Sequence, residues 1–173
     1  MGMEFILLTL IKGAGTMKKY EYTDETIVCA GKTLHRIIAL RDFSSVKKGE
    51  VGGFIEKYNN LSQYGNAWVS GNVMIFDDAH ISGNSQIFGN AIICDNAVVS
   101  GDVMIFGEAQ ITGNSQIFGN AIISGNAIIS GDAKISGKAH ISGNMIISGD
   151  AKISGKAHIS GNVIISGDMR VTE

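Results

Sequence analysis

The sequence predicts an all-β fold: a single-stranded left-handed parallel β-helix with a small N-terminal β cap. Three observations predict it. A branched aliphatic residue recurs every six positions from Val69 to Val171, a small or modest residue stands two places before each, and Gly marks nearly every turn between them. A period of six fits none of the helical repeats, which need about 3.5 to 3.7 residues per turn.

The first element lies upstream of the fold. Phe5 to Ile11 is an apolar run broken by Thr9 and preceded by Glu4. It is too short to cross a bilayer, and it lacks the basic leader and small-residue cleavage site of a signal peptide. Lys12-Gly13-Ala14 can be encoded by AAAGGAGC, a purine-rich ribosome-binding sequence a few codons before Met17. Residues 1–16 are therefore expected to be a non-native or disordered extension, with translation starting at Met17.

Residues 17–60 form the expected β cap. Residues 18–40 read as strands, with a hairpin of Thr26–Cys29, a turn at Ala30-Gly31-Lys32 and a return over Thr33–Leu40. Val51-Gly52-Gly53-Phe54-Ile55 approaches the six-residue pattern and is a candidate to enter the first coil. A cap has a physical purpose, because an open first coil exposes strand edges that pair with other chains. At the other end only Met169, Arg170, Thr172 and Glu173 blunt the last coil, so end-to-end association is an expectation as well.

Residues 61–173 carry the β-helix. Within each hexad the triplet Ala-x-Ile alternates inward, outward, inward, as a short strand requires. The next three residues, typically Ser-Gly-Asn, turn the corner. From residue 71 to 167 the central turn position is Gly except at Asp77 and Asp95, a choice that points to a left-handed backbone. Three hexads close an eighteen-residue coil, and residues 131–148 recur one coil later as 149–166. Eighteen hexads predict about six coils. At about 4.8 Å per coil the prism is roughly 29 Å long. A second, thirty-residue repeat, 71–100 echoed by 101–130, is read as duplication of whole hexads.

Composition narrows the function. The chain has 173 residues, 23 of them Gly and none Pro, with 45% apolar and 17% charged residues, so neither collagen nor a disordered chain fits. A net charge of −2 supplies no reason to expect nucleic acid or a membrane as partner. Cys29 and Cys94 have no metal or redox spacing and suit a reducing cytoplasm.

The pattern Ile-Ser-Gly-Asn-Ala-x resembles the hexapeptide-repeat, LpxA-like left-handed β-helix superfamily, whose usual form is aliphatic-Gly-x-x-small-x. This chain places Gly one position later. Residues 34–72 resemble the opening of prophage proteins related to the YdcK group, which are often labelled transferases from their repeats. The resemblance implies a side-by-side trimer in the cytoplasm of a bacterial host, with virion association open to a phage protein and a host or phage protein as partner.

The superfamily also implies an alternative, an acyl-CoA-dependent acyltransferase using acetyl-CoA, with His80, His140 or His158 as base. Enzymes of that kind resemble one another in having a catalytic His, loops interrupting the hexads and often a C-terminal helix. From Ala67 onward this chain has no interrupting loop, and its three repeat histidines occupy outward strand positions. The expectation is a non-catalytic, self-associating structural or protein-interaction module with no cofactor and no metal. His35, in the cap, has no identifiable partner in the sequence.

Sorting outward residues by coil gives three rows. Met74, Ile92, Gln110, Ile128, Ile146 and Ile164 share one face, where Met74, Ile92, Ile128, Ile146 and Ile164 form the expected interaction surface. Trp68, Gln86, Met104, Ile122, His140 and His158 share the second, and His80, Val98, Gln116, Lys134, Lys152 and Arg170 the third. Lys134, Lys138, His140, Lys152, Lys156, His158 and Arg170 make a candidate anion-binding edge, with His140 and His158 stacked about 4.8 Å apart. Phe76, Phe88, Phe106 and Phe118 are expected to shield the turns.

Overall fold

The computed structural model describes residues 18–172, so the expected extension at residues 1–16 lies outside the described residues. The chain is a three-sided parallel β-solenoid closed at one end by an antiparallel hairpin. Strand β1 (Tyr20–Cys29) pairs antiparallel with β2 (Lys32–Ala39) across a two-residue turn, Ala30 at φ 49° and Gly31 at φ 76°. The turn is one residue tighter than the sequence suggested, because both turn residues adopt the left-handed conformation of a tight hairpin.

Strand β3 (Val51–Ile55) joins the two architectures. It pairs antiparallel with β2 on one side and parallel with Met74–Ile75 on the other, so parallel stacking starts before Ala67. The solenoid thus has about seven coils where the hexad count predicts six. The missing coil lacks the Ala-x-Ile signature for a steric reason. A Cβ at Gly52 would meet Trp68 at 2.8 Å and Ile37 at 2.6 Å, and one at Gly53 would meet the Val73 carbonyl oxygen at 2.7 Å. Only glycine lets this strand lie so close to both the cap and the next coil.

The three faces follow the predicted eighteen-residue register. Face one continues from β3 through Met74–Ile75 to Val163–Ile165. Face two runs from Trp68–Val69 to His158–Ser160, and face three from His80–Ile81 to Arg170–Thr172. Parallel pairing is uninterrupted: Gln110 aligns with Ile128, Ile128 with Ile146, and Ile146 with Ile164. Backbone bonds connect the coils, as in Lys134 N–H donating to the Ala151 carbonyl at 2.8 Å.

Inward Ile and Ala rows fill the shaft, with Ile111, Ile123, Ile135 and their neighbours fully buried. Ser85 and Ser115 replace Ala inside, and each hydroxyl donates to a carbonyl of its own turn, Ser82 at 2.8 Å and Thr112 at 2.6 Å. Satisfied in this way, they are tolerated in the core. At the corners Asn side chains bond coil to coil, as Asn96 to Asn114 at 2.9 Å and Asn114 to Asp132 at 2.8 Å. That contact explains why Asn and Asp follow the turn glycine so often.

The cap is an aromatic plug. Tyr20 is fully buried and donates its hydroxyl to the Leu61 carbonyl at 2.5 Å. Trp68 stands at an outward position of face two yet is buried, with Tyr20 and Phe43 rings 6.3 and 5.4 Å from its own. Periodicity assigns it to solvent; the folded-over cap removes it. His35 also gains a partner the sequence hides, stacking on Tyr22 at 4.5 Å, while Tyr22 stacks on Tyr58 at 4.2 Å.

Candidate functional site

Each outward row behaves differently once the cap is in place. On face one, Met74 and Ile92 pack against a cluster of Leu34, Phe54 and Phe76. These two members of the expected interaction surface are therefore half-covered by the protein itself. Phe76 shields its corner as expected and is buried; Phe88 and Phe106 remain exposed. The free part of face one is the lower three coils, where Ile128 is 39%, Ile146 40% and Ile164 67% exposed.

That lower surface is flat and uncharged. Gln110, Ile128, Ile146 and Ile164 lie in one parallel register, and no ionisable residue occupies the outward row from Met74 to Ile164. Three partly exposed isoleucines in line are more than scattered surface decoration.

The four histidines separate into two kinds. His80 is held by the Asn59 carbonyl, 2.6 Å from its Nδ1, and His35 by the Tyr22 ring. His140 and His158 pair in register on face two, with ring centroids 4.7 Å apart and planes at 55°. The structure thus brings together two of the three candidate bases and leaves the third in a structural contact about three coils above. A cavity of about 210 Å³ opens beside the pair, lined also by Ile122, Ser124, Ser142 and Ser160.

The candidate anion edge spans two faces. Lys134, Lys152 and Arg170 align on face three. His140 and His158 lie on face two, and Lys138 and Lys156 stand exposed at the corner between. All five ion pairs among the described residues lie in the cap and the adjoining coils, at Lys32, Arg36, Lys47 and Lys57. Among the described residues the cations of the lower coils form none.

Two features escaped sequence reasoning. Lys19 is fully buried beneath the cap, its Nζ donating to the Ala67 carbonyl at 2.8 Å and lying 5.3 Å above the Phe43 ring. Burial, with a smaller contribution from Arg41, lowers its pKa to about 8. The second is a mixed set, Asp77, Cys94 and Asp95, whose ligand atoms lie within 4.8 Å of one another. The one-coil spacing of Asp77 and Asp95 was the available signal. The set already has a counter-charge, because Lys32 Nζ reaches Asp77 at 2.5 Å and Glu56 at 3.5 Å. Burial, then Asp95 and Asp77, push the Cys94 thiol up to about 11. A protonated thiol beside a bound ammonium is a poor thiolate ligand.

Comparison with known proteins agrees with this geometry. Residues 85–101 and 115–131 match the family model described as the YdcK β-solenoid repeat, and the two matches start thirty residues apart, the spacing of the longer internal repeat. No curated protein matches the chain. The similarity supports a β-solenoid repeat protein.

Proposed function

We propose that this protein is a non-catalytic, self-associating rod that uses the lower half of face one to bind a second copy of itself. The observation that carries the reading is the uncharged ladder of Ile128, Ile146 and Ile164, left open below the part that the cap covers. A second copy is the occupant that fits. Its own ladder repeats at the same coil spacing, so apolar side chains can interleave. Face three instead carries Lys134, Lys152 and Arg170 and would set like charges against each other, and face two carries the polar pair His140 and His158.

The resemblance of residues 34–72 to prophage proteins, and of the repeat to hexapeptide-type helices, supports a finer version: a trimeric phage-encoded rod that presents its remaining faces to a host or phage protein. The uninterrupted coils from Ala67 onward weigh against the acyltransferase alternative, since no loop walls a donor cleft beside the histidines.

The test is the mass in solution. Multi-angle light scattering of the wild type is expected to give an oligomer, with three copies the expected number. The double variant Ile128→Lys/Ile146→Lys should give a monomer of unchanged circular dichroism, because an unpaired ammonium is costly to bury. Lys134→Glu/Lys152→Glu, on face three, should leave the mass unaltered. A monomeric wild type, or an oligomer that survives the isoleucine substitutions, would sink the proposal.

A further inference from the structure

We infer that the groove beside His140 and His158 is a binding site for a phosphate-type oxyanion, whether free phosphate or a phosphate monoester. The inference lies on a different face from the self-association surface and does not depend on it.

The groove arises from an unusual corner. Where face two turns toward face one, Gly125, Gly143 and Gly161 have φ of 85°, 103° and 90°, whereas the corner leaving face one has 71°, 68° and 67° at Gly131, Gly149 and Gly167. At this corner the lower strands continue into the turn, so Ile122–Gly125 and His140–Gly143 run four residues where most strands run two or three. Ser124, Ser142 and Ser160 thereby join the parallel register, aligned coil to coil, and each lies two residues beyond its outward neighbour, Ile122, His140 or His158.

The polar side chains facing this space can all donate. Two imidazoles 4.7 Å apart stand on one side and three hydroxyls on the other. Among the described residues, none of these five side chains hydrogen-bonds to another part of the protein, unlike His80, Ser85 and Ser115. Lys138 and Lys156 stand exposed in the turn two residues before each histidine, at the end of these strands opposite the serines.

Carboxylates are segregated away from it. Asp132, Asp150 and Asp168 sit at the corner between faces one and three, the corner opposite face two. The nearest acid on the near corner, Glu108, aligns with Asn126, one coil above Asn144. The strands of face two from Ile122 to Ser160 contain no acidic residue.

Donors without a counter-acid select an anion. A divalent metal is the competing ligand of a histidine pair, but no carboxylate or thiolate joins the imidazoles in the lining, and the cations of the preceding corner disfavour a second positive charge. Among oxyanions, a tetrahedral phosphate has enough oxygens to accept from both imidazoles and a serine at once. Ile122 forms an apolar wall at the upper end, so a monoester with a hydrophobic substituent should bind better than inorganic phosphate.

Titration calorimetry of the full chain with inorganic phosphate and with phenyl phosphate tests this. Saturable binding at one ligand per chain is expected, with Kd on the order of 0.1–1 mM. Phenyl phosphate should bind more tightly. His140→Gln/His158→Gln should weaken binding by about tenfold or more while leaving the melting temperature near that of the wild type. His80→Gln should leave affinity unchanged. Lys138→Gln/Lys156→Gln should lower affinity less and flatten its salt dependence. Absence of saturable binding, equal binding by the His140→Gln/His158→Gln protein, or binding of Zn²⁺ in place of either phosphate would overturn the inference.

Discussion

Coil stacking rests on a contact that one methyl group can disturb. Gly125 and Gly161 occupy the same corner two coils apart, with nearly equal φ of 85° and 90°. A Cβ on Gly125 would stand 2.6 Å from the Gly143 carbonyl oxygen and 3.0 Å from its nitrogen, whereas one on Gly161 meets nothing within 4 Å. Both Gly→Ala substitutions carry the left-handed penalty, about 1–2 kcal/mol. Both also lose unfolded-chain freedom, which offsets roughly 0.4–1 kcal/mol. Only Gly125→Ala adds crowding between coils, roughly 1–3 kcal/mol. Gly125→Ala should therefore melt several degrees lower than Gly161→Ala, at about 2–4 °C per kcal/mol for a chain of this size. Differential scanning calorimetry at matched concentration reads the difference. Equal melting temperatures would refute the reasoning, by showing that φ alone selects glycine and that coil spacing does not. At the corner leaving face one, Asp77 and Asp95 adopt φ of 56° and 59°, below the 67–71° of Gly113, Gly131, Gly149 and Gly167.

Further outcomes follow from the core and the cap. Ile111→Ala, at a fully buried position of the shaft, should lower stability by about 2–5 kcal/mol, measured by chemical denaturation. Lys19 makes stability rise with pH, because its folded pKa of about 8 lies below the ordinary 10.5, so the unfolded chain holds the extra proton between those values. The gain from pH 7 to pH 9 should be on the order of 1 kcal/mol. Above pH 9 the sign reverses. Burial holds Cys94 up to about 11 and Tyr22 up to about 12, and their protonated forms are favoured by folding, so stability is lost once the unfolded thiol and phenol ionise. A pH series of melting temperatures should peak near pH 9, and Lys19→Met should flatten the rise below it. A wild-type profile that falls steadily from pH 7 would contradict the burial of Lys19.

The hexads specify face membership directly. Because residues i and i+18 must align once Val69 to Val171 point inward, the pairing of His140 with His158 and of Lys134 with Lys152 is legible without coordinates. The histidine ring centroids, 4.7 Å apart, follow the separation of about 4.8 Å between the hydrogen-bonded strands that carry them. What the period cannot express is where the cap folds. Trp68, Met74 and Ile92 obey the outward rule and are nevertheless covered, since the contacts to Tyr20, Phe43 and Leu34 join residues that no local pattern relates.

The groove shows the same division at finer scale. Sequence alone determined that two histidines stack, that serines follow them and that lysines precede them, because strand alternation and coil length are fixed by backbone geometry. Only the tertiary structure decided that the corner after these strands opens, that Ser124, Ser142 and Ser160 line a cavity, and that the lower rather than the upper half of face one stays free. Those outcomes depend on turn angles and on packing between distant segments, which a repeating pattern of side-chain types does not encode.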